Sequence, residues 1–151
     1  MFTKMKRNTR GMVCLLGVSA LFTANMQAKA VEIVESQIGA GQIVKSANAG
    51  YVHSNLSISK NGSATVSGNA VGKQGTSKIK VIVKLQRYDS SKKTWNTLKT
   101  YENERNMISA SVEKTYKLSA KGTYRSKCVA MFTKSGKTET VTSVSEKKQY
   151  K

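Results

Sequence analysis

Residues 78–85 alternate between apolar and mostly basic side chains, and this alternation constrains the fold more than any other feature. A strand points successive side chains to opposite faces, whereas an amphipathic helix repeats its apolar residues every three or four positions. The segment therefore predicts a strand with one buried face. The expected buried face is Ile79, Val81, Val83 and Leu85, and the opposite face carries Lys78, Lys80 and Lys84.

The same alternation continues from Tyr51 almost to the end of the chain, with a turn signal about every ten residues. Six further strands are expected, at roughly 55–60, 63–71, 94–102, 109–118, 123–132 and 138–145. Asn61-Gly62 predicts a hairpin, because a type I′ turn needs positive φ at both central residues. Residues 104–106 are expected to form a loop. In residues 94–102 two apolar parities compete, so the inward face of the strand with Trp95 stays open.

Seven short strands in one run of about a hundred residues predict an all-β domain, a single immunoglobulin-like antiparallel β-sandwich. The sandwich is assigned to residues 51–151. Residues 31–50 contain several glycines and are expected to form a lead-in segment or an extra edge strand.

The first thirty residues have the pattern of a secretory signal peptide. Four basic residues up to Arg10 precede an uncharged, mostly apolar run over residues 11–24, and Ala28-Lys29-Ala30 follows. This run is shorter than the roughly 18–20 residues that span a bilayer, so an uncleaved membrane anchor is the less favoured alternative. Cys14 lies too early in the run to accept a lipid. The sequence thus predicts cleavage after residue 30 and an extracellular, secreted protein.

Charge indicates the class of partner. The formal net charge is +18, and it falls to +13 when five basic residues leave with the leader. Such a field favours anionic partners: a cell-wall polymer, an acidic glycan or an anionic membrane surface. No feature indicates specific recognition of nucleic acid. The alternative is that the lysines only keep a secreted sandwich soluble.

The sequence does not predict an enzyme. His53 is the single histidine, and no set of residues suits a metal or a cofactor. Glu102 and Glu104 stand beside Arg105, where a solvated charged turn is favoured over a paired-carboxylate site. Cys128 is the only cysteine after cleavage, so it is either a buried hydrophobe or a thiol open to reaction or dimerisation.

Two resemblances add to this pattern. Leu118, Gly122 and Tyr124 resemble the corner before strand F of immunoglobulin-like and fibronectin-type sandwiches, in which the tyrosine hydroxyl bonds back to the backbone. Trp95 and the unpaired Cys128 depart from the antibody pattern.

Residues 58–124 also resemble a family of small, uncharacterised secreted proteins of Gram-positive, Clostridia-type bacteria. The similar motifs are Gly-x-Ala-x-Val-Ser-Gly at 62–68, Val-x-Leu-Gln-Arg at 83–87, Trp95, and Lys-Gly-Thr-Tyr-Arg at 121–125. This resemblance implies secretion and a β-sandwich, and it implies no activity.

In an immunoglobulin-like sheet the strands at 78–85 and 123–132 are neighbours. Their outward residues form what we call the cationic face: Lys78, Lys80, Lys84, Arg125 and Lys127. Ile82 and Tyr88 are expected to share this surface. We interpret the chain as a secreted, non-catalytic binding module for anionic partners. The alternatives are a cationic antimicrobial-type effector acting on competitor envelopes, and lysines that merely protect the strands from aggregation.

Overall fold

A computed structural model of the protein describes residues 34–36 and 46–151, which contain nine strands and no helix. The strands are β1 (Val34–Ser36), β2 (Ala49–Ile58), β3 (Ser63–Gly72), β4 (Lys78–Asp89), β5 (Thr94–Arg105), β6 (Ser109–Lys117), β7 (Gly122–Lys134), β8 (Lys137–Val144) and β9 (Lys148–Tyr150). The all-β prediction is confirmed. Within these residues there is accordingly no helix of the length and apolar character that a membrane span requires. The expected signal peptide lies outside the described residues.

The strands form two sheets. The larger sheet has the order β1-β8-β7-β4-β5, with β9 also paired to β7, and the smaller has the order β2-β3-β6. All pairs are antiparallel except β1 with β8. β8 and β9 follow one edge of β7 in succession, since β4 occupies the other edge. The last strand therefore continues the pairing along the edge of β7 that β8 occupies.

Each of the seven expected strands occurs, as β2 to β8, with altered ends. β2 begins at Ala49, several residues before the expected start. The expected loop at 104–106 is wrong for Glu104 and Arg105, which continue β5. β9 lies beyond the last strand expected from the sequence, which ends near residue 145.

The hairpin at Asn61-Gly62 is confirmed, but its turn differs from the expected type I′. Four residues, 59–62, connect β2 to β3, and only Gly62 has positive φ, at 79°. The Gly62 amide donates to the carbonyl oxygen of Ser59 at 2.9 Å. A type I turn ending in a left-handed glycine makes this connection, a common solution for loops longer than two residues.

The core lies between the two sheets and is built from alternating residues, as the period-2 pattern requires. Every apolar residue expected on the inner face of β4 is fully buried. The buried hydrophobic residues are Ala49, Val52, Leu56, Ala64, Val66, Ala70, Ile79, Val81, Val83, Leu85, Ala110, Val112, Leu118, Tyr124, Cys128, Ala130, Phe132 and Val141. The corner before β7 also forms as expected, since the buried Tyr124 donates its hydroxyl to the carbonyl oxygen of Ala120.

Gly68 of β3 faces the larger sheet at a point where no room is left for a side chain. A Cβ atom on Gly68 would lie 2.5 Å from Cγ2 of Val83 and 2.8 Å from Sγ of Cys128. Both distances are shorter than carbon–carbon and carbon–sulfur van der Waals contact. Glycine at this position therefore permits the observed separation of the sheets.

Gly68→Ala is expected to destabilise the fold by about 1–3 kcal/mol, because the added methyl group must displace Val83 or Cys128 in a close-packed core. Urea unfolding followed by circular dichroism measures the effect. Ser67→Ala is the matched control, because its side chain lies on the outer face of the same strand and should change stability by less than about 0.5 kcal/mol. Equal stability of the two variants would contradict the close packing at Gly68.

Candidate binding face

All five residues of the cationic face lie on the outer surface of the larger sheet. Lys84 of β4 stands directly opposite Lys127 of β7, and Arg125 stands opposite Gln86, the next outward residue of β4. Lys80 and Lys78 follow in the other direction along β4. Their inward neighbours are the buried core residues, which fixes the outward direction of these cations.

The edge strand β5 brings two carboxylates to this surface. Nζ of Lys80 lies 3.1 Å from Oε2 of Glu102, and Nζ of Lys78 lies 3.4 Å from Oε1 of Glu104. The sequence-based interpretation of these acids as part of a charged turn is wrong, because they belong to a strand paired with β4. Both ion pairs are exposed, so each contributes at most about 1 kcal/mol to stability. Their main effect is to neutralise Lys78 and Lys80, at one end of the face.

A β-bulge in the pairing of β4 with β5 sets the direction of Trp95. The register shifts between Leu85 and Gln86, so that Trp95 stands opposite Tyr88 whereas Tyr101 stands opposite Val83. Residues 95 and 101 have the same parity and would share a face in a regular strand. The bulge puts Trp95 on the outer surface and Tyr101 on the inner one. Leu98, whose parity competes with theirs in the sequence, is the β5 residue that the register shift leaves without a partner on β4.

Trp95 organises a small cluster, here called the aromatic corner, which consists of Gln86, Tyr88, Trp95 and Arg125. The guanidinium carbon of Arg125 lies 4.2 Å from the centroid of the Trp95 ring. Nε of Arg125 donates to Oε1 of Gln86 at 2.9 Å, and Nε2 of Gln86 donates to Oγ1 of Thr97 at 3.1 Å. The Tyr88 and Trp95 rings are 5.1 Å apart and tilted by 52°.

These contacts fix a planar cation beside an amphipathic ring. A cation over an indole ring gains about 0.5–2 kcal/mol, and the hydrogen bond to Gln86 restricts the guanidinium further. A fixed guanidinium suits carboxylate and phosphate groups, which accept two parallel hydrogen bonds from it. The sequence identified Arg125 but missed the role of Trp95, for which the competing parities were the available signal.

His53 lies away from this face, in β2 on the outer surface of the smaller sheet. Its ring stacks on that of Tyr51, with centroids 6.0 Å apart and planes 17° apart. Within residues 46–151, no three or more histidine, cysteine, aspartate or glutamate side chains are grouped so that they could hold a metal ion. His53 and the cationic face are therefore separate features on opposite sheets.

Cys128 is fully buried in the core, beneath Gly68 of the facing sheet. Burial raises the pKa of its thiol to about 12, because the thiolate would lose its hydration. The neutral thiol is a poor nucleophile. Of the two interpretations that the sequence left open, the structure favours the buried hydrophobe.

Cys128 is expected to resist thiol reagents in the folded protein. In a Cys14→Ser chain at pH 8, labelling should be more than about 100-fold slower than in denaturant, because the native thiol is buried and protonated. Absorbance of a released thiolate dye measures the rates. Rapid labelling of the folded chain, or a disulfide-linked dimer that a reducing agent dissociates, would contradict this expectation.

Comparison of the chain with protein-family models, with curated proteins and with solved structures gives no match. What the molecule binds is therefore inferred from its geometry and charge.

Proposed function

We propose that the chain is a secreted, non-catalytic binding module. It binds an anionic polymer of a cell envelope, an acidic glycan, on its cationic face. The observation that carries this proposal is the contiguous group of Lys84, Lys127 and Arg125 on neighbouring strands. Like charges placed directly opposite each other destabilise a sheet. An anionic ligand that bridges them removes this cost.

The aromatic corner supports a saccharide-containing ligand. Indole and phenol rings offer apolar surface with a polar edge, and the guanidinium of Arg125 places a positive charge beside the Trp95 ring. Trp95 and Arg125 are in contact, so one sugar residue with an acidic substituent can meet both. This pairing of a ring with a fixed cation favours an acidic glycan over a bare polyanion at this position.

The shape of the face supports a polymer over a bilayer. Among the described residues, the large exposed apolar side chains are Val71, Tyr88, Leu98, Met107 and Ile108. Of these, Tyr88 belongs to the aromatic corner, while Met107 and Ile108 follow the far end of β5. Docking to a membrane interface requires a buried apolar surface besides charge. Ile82, Val129 and Met131 also face outward on this sheet, but they are only half-exposed between the cations. Such a strand surface suits an extended chain better than a bilayer.

We also propose that the sandwich is immunoglobulin-like. Counted from β2, the third, sixth and seventh strands are β4, β7 and β8. They share one sheet, as the corresponding strands of immunoglobulin-like sandwiches do, and this sheet faces β2-β3-β6. β5 joins that sheet beside β4, as the extra strand of variable-type domains does. The hydroxyl of Tyr124 bonds back to Ala120, which is the contact of a tyrosine corner. Secretion rests on the leader-like residues 1–30.

The triple variant Lys84→Gln, Arg125→Gln, Lys127→Gln is expected to bind polygalacturonate at least about tenfold more weakly at 50 mM salt, which corresponds to about 1.4 kcal/mol. The control variant Lys99→Gln, Lys114→Gln, Lys137→Gln has the same net charge and should lose less than about threefold. Titration of intrinsic fluorescence measures both, because Trp95 is the single tryptophan and its ring contacts Arg125 of the face.

Equal losses in the two variants would contradict a localised site and leave only an effect of net charge. Anionic phospholipid vesicles provide a further comparison. Tighter binding to vesicles than to the polysaccharide, with growth inhibition of sensitive cells, would overturn the polymer proposal and favour the antimicrobial-type effector.

Glu102→Gln is expected to tighten polysaccharide binding about two- to fivefold, because it releases Lys80 from its ion pair and removes a negative charge from the face. The same titration measures it. Glu113→Gln changes the net charge equally on the other sheet and should have less than half this effect. The free energy of unfolding should change by less than about 1 kcal/mol, since the pair is exposed. Weaker binding in Glu102→Gln would contradict the electrostatic role of the cationic face.

A further inference from the structure

One end of the sandwich carries a concentration of lysines that the sequence does not reveal as a group. The antiparallel order brings to this end the β2–β3 turn, the β4–β5 turn, the end of β6, the start of β7 and β9. We call it the lysine end. Its lysines, all exposed, are Lys60, Lys92, Lys93, Lys117, Lys121, Lys147, Lys148 and Lys151.

Specific contacts hold these segments together. The amide of Leu118 donates to the carbonyl oxygen of Gly62 at 2.8 Å, and Nη2 of Arg87 donates to the carbonyl oxygen of Lys121 at 2.9 Å. β9 pairs with the first residues of β7. The lysine end is therefore one continuous surface, although its residues come from five separate parts of the sequence.

Few acids balance this charge. Asp89 and Glu146 are the acidic residues of the same segments. Oδ1 of Asp89 accepts the amides of Ser91 and Lys92, at 3.0 and 3.1 Å, so this carboxylate is committed to the turn. Glu146 pairs with Lys148 at 3.2 Å. Six lysines of the group have no ion-pair partner among residues 46–151: Lys60, Lys92, Lys93, Lys117, Lys121 and Lys147.

A cleft of about 280 Å³ opens on this surface between the β2–β3 turn and β9. Lys60 lies on one side, and Tyr150 and Lys151 lie on the other. The Tyr150 ring closes against Gly62, where a Cβ atom would lie 2.7 Å from the ring. The cleft thus lies between the β2–β3 turn and β9, and two of the residues that line it are lysines.

We infer that the lysine end is a second contact for the polymer and that the polymer carries phosphate groups along its chain. This inference rests on the proposed function and specifies its ligand. Lysine ammonium groups are compact charges on mobile stems that bind phosphate without a fixed geometry. The aromatic corner, with its oriented guanidinium, suits the saccharide part of the same ligand. A linear phosphate-bearing glycan satisfies both surfaces.

The size of the lysine end predicts that binding affinity depends on the length of the ligand. Facing sheets lie about 10 Å apart and paired strands about 4.8 Å apart, so lysines on both sheets spread over roughly 10 by 15 Å. A short anion reaches only one or two of them. A long chain meets several at once, and each contact releases counterions, which makes binding steeply dependent on salt.

The test uses the full chain and linear inorganic polyphosphate as the probe, in a long form and as tripolyphosphate. The lysine-end variant carries Lys60→Gln, Lys92→Gln, Lys121→Gln and Lys147→Gln. Its control carries Lys99→Gln, Arg105→Gln, Lys114→Gln and Lys137→Gln, with the same net charge. Long polyphosphate should bind the lysine-end variant at least about tenfold more weakly than the unmodified chain, and the slope of log affinity against log salt should fall by about two. The control should lose less than about threefold. Thermal unfolding verifies that both variants are folded.

Equal losses in the two variants, or equal affinity for the long and the short polyphosphate, would overturn the inference. Single-stranded DNA with the same number of phosphates distinguishes the source of the phosphate, because tighter binding to DNA would overturn a glycan ligand. Polygalacturonate separates this inference from the proposed function. If only the triple variant of the cationic face loses binding to both polymers, the inference about the lysine end is overturned and the proposed function is supported. If the unmodified chain binds neither polymer, both fall.

Discussion

The close approach of the two sheets at Gly68 is the constraint on which the rest of the structure depends. Gly68 leaves room for Val83 and Cys128 of the opposite sheet, and no disulfide is possible within the described residues, where Cys128 is the single cysteine. Stability must therefore come from apolar packing between alternating side chains. The parity that buries Val83 and Cys128 also directs Lys84 and Lys127 outward on adjacent strands. Core packing and the cationic face are two consequences of one register.

Contacts with β5 reduce the repulsion between cations on the outer face of the larger sheet. At one end of β4, Lys78 and Lys80 pair with Glu104 and Glu102. At the other end, Arg125 is held over Trp95. β5 provides the partners in both cases, so this edge strand positions three of the five cations of the face.

Local alternation was sufficient to predict the strand at 78–85 and the burial of its apolar face. The corner contact of Tyr124 was expected from the resemblance of its segment to the corner of immunoglobulin-like sandwiches. It could not predict the bulge beside Leu85, because a bulge depends on how β5 pairs with β4 and not on either strand alone. The same limit applies to Glu102 and Glu104, whose partners are set by the pairing register. The lysine end required still more, because Lys60, Lys121 and Lys147 meet only through the topology of the whole sandwich.

The distribution of charge gives the proposed ligand a direction. Glu102 and Glu104 disfavour a polyanion along the part of the face that they border, whereas the aromatic corner leads toward the β4–β5 turn with Lys92 and Lys93. In the proposed complex, a chain seated on Lys84 and Lys127 would continue past Trp95 and Arg125 and reach the lysine end. Its affinity is then set by two surfaces that act on one molecule, so that the loss at either one weakens a long ligand more than a short one. In the proposed complex, Arg125 would contribute a positioned cation beside Trp95, and the lysines would contribute charge on flexible side chains.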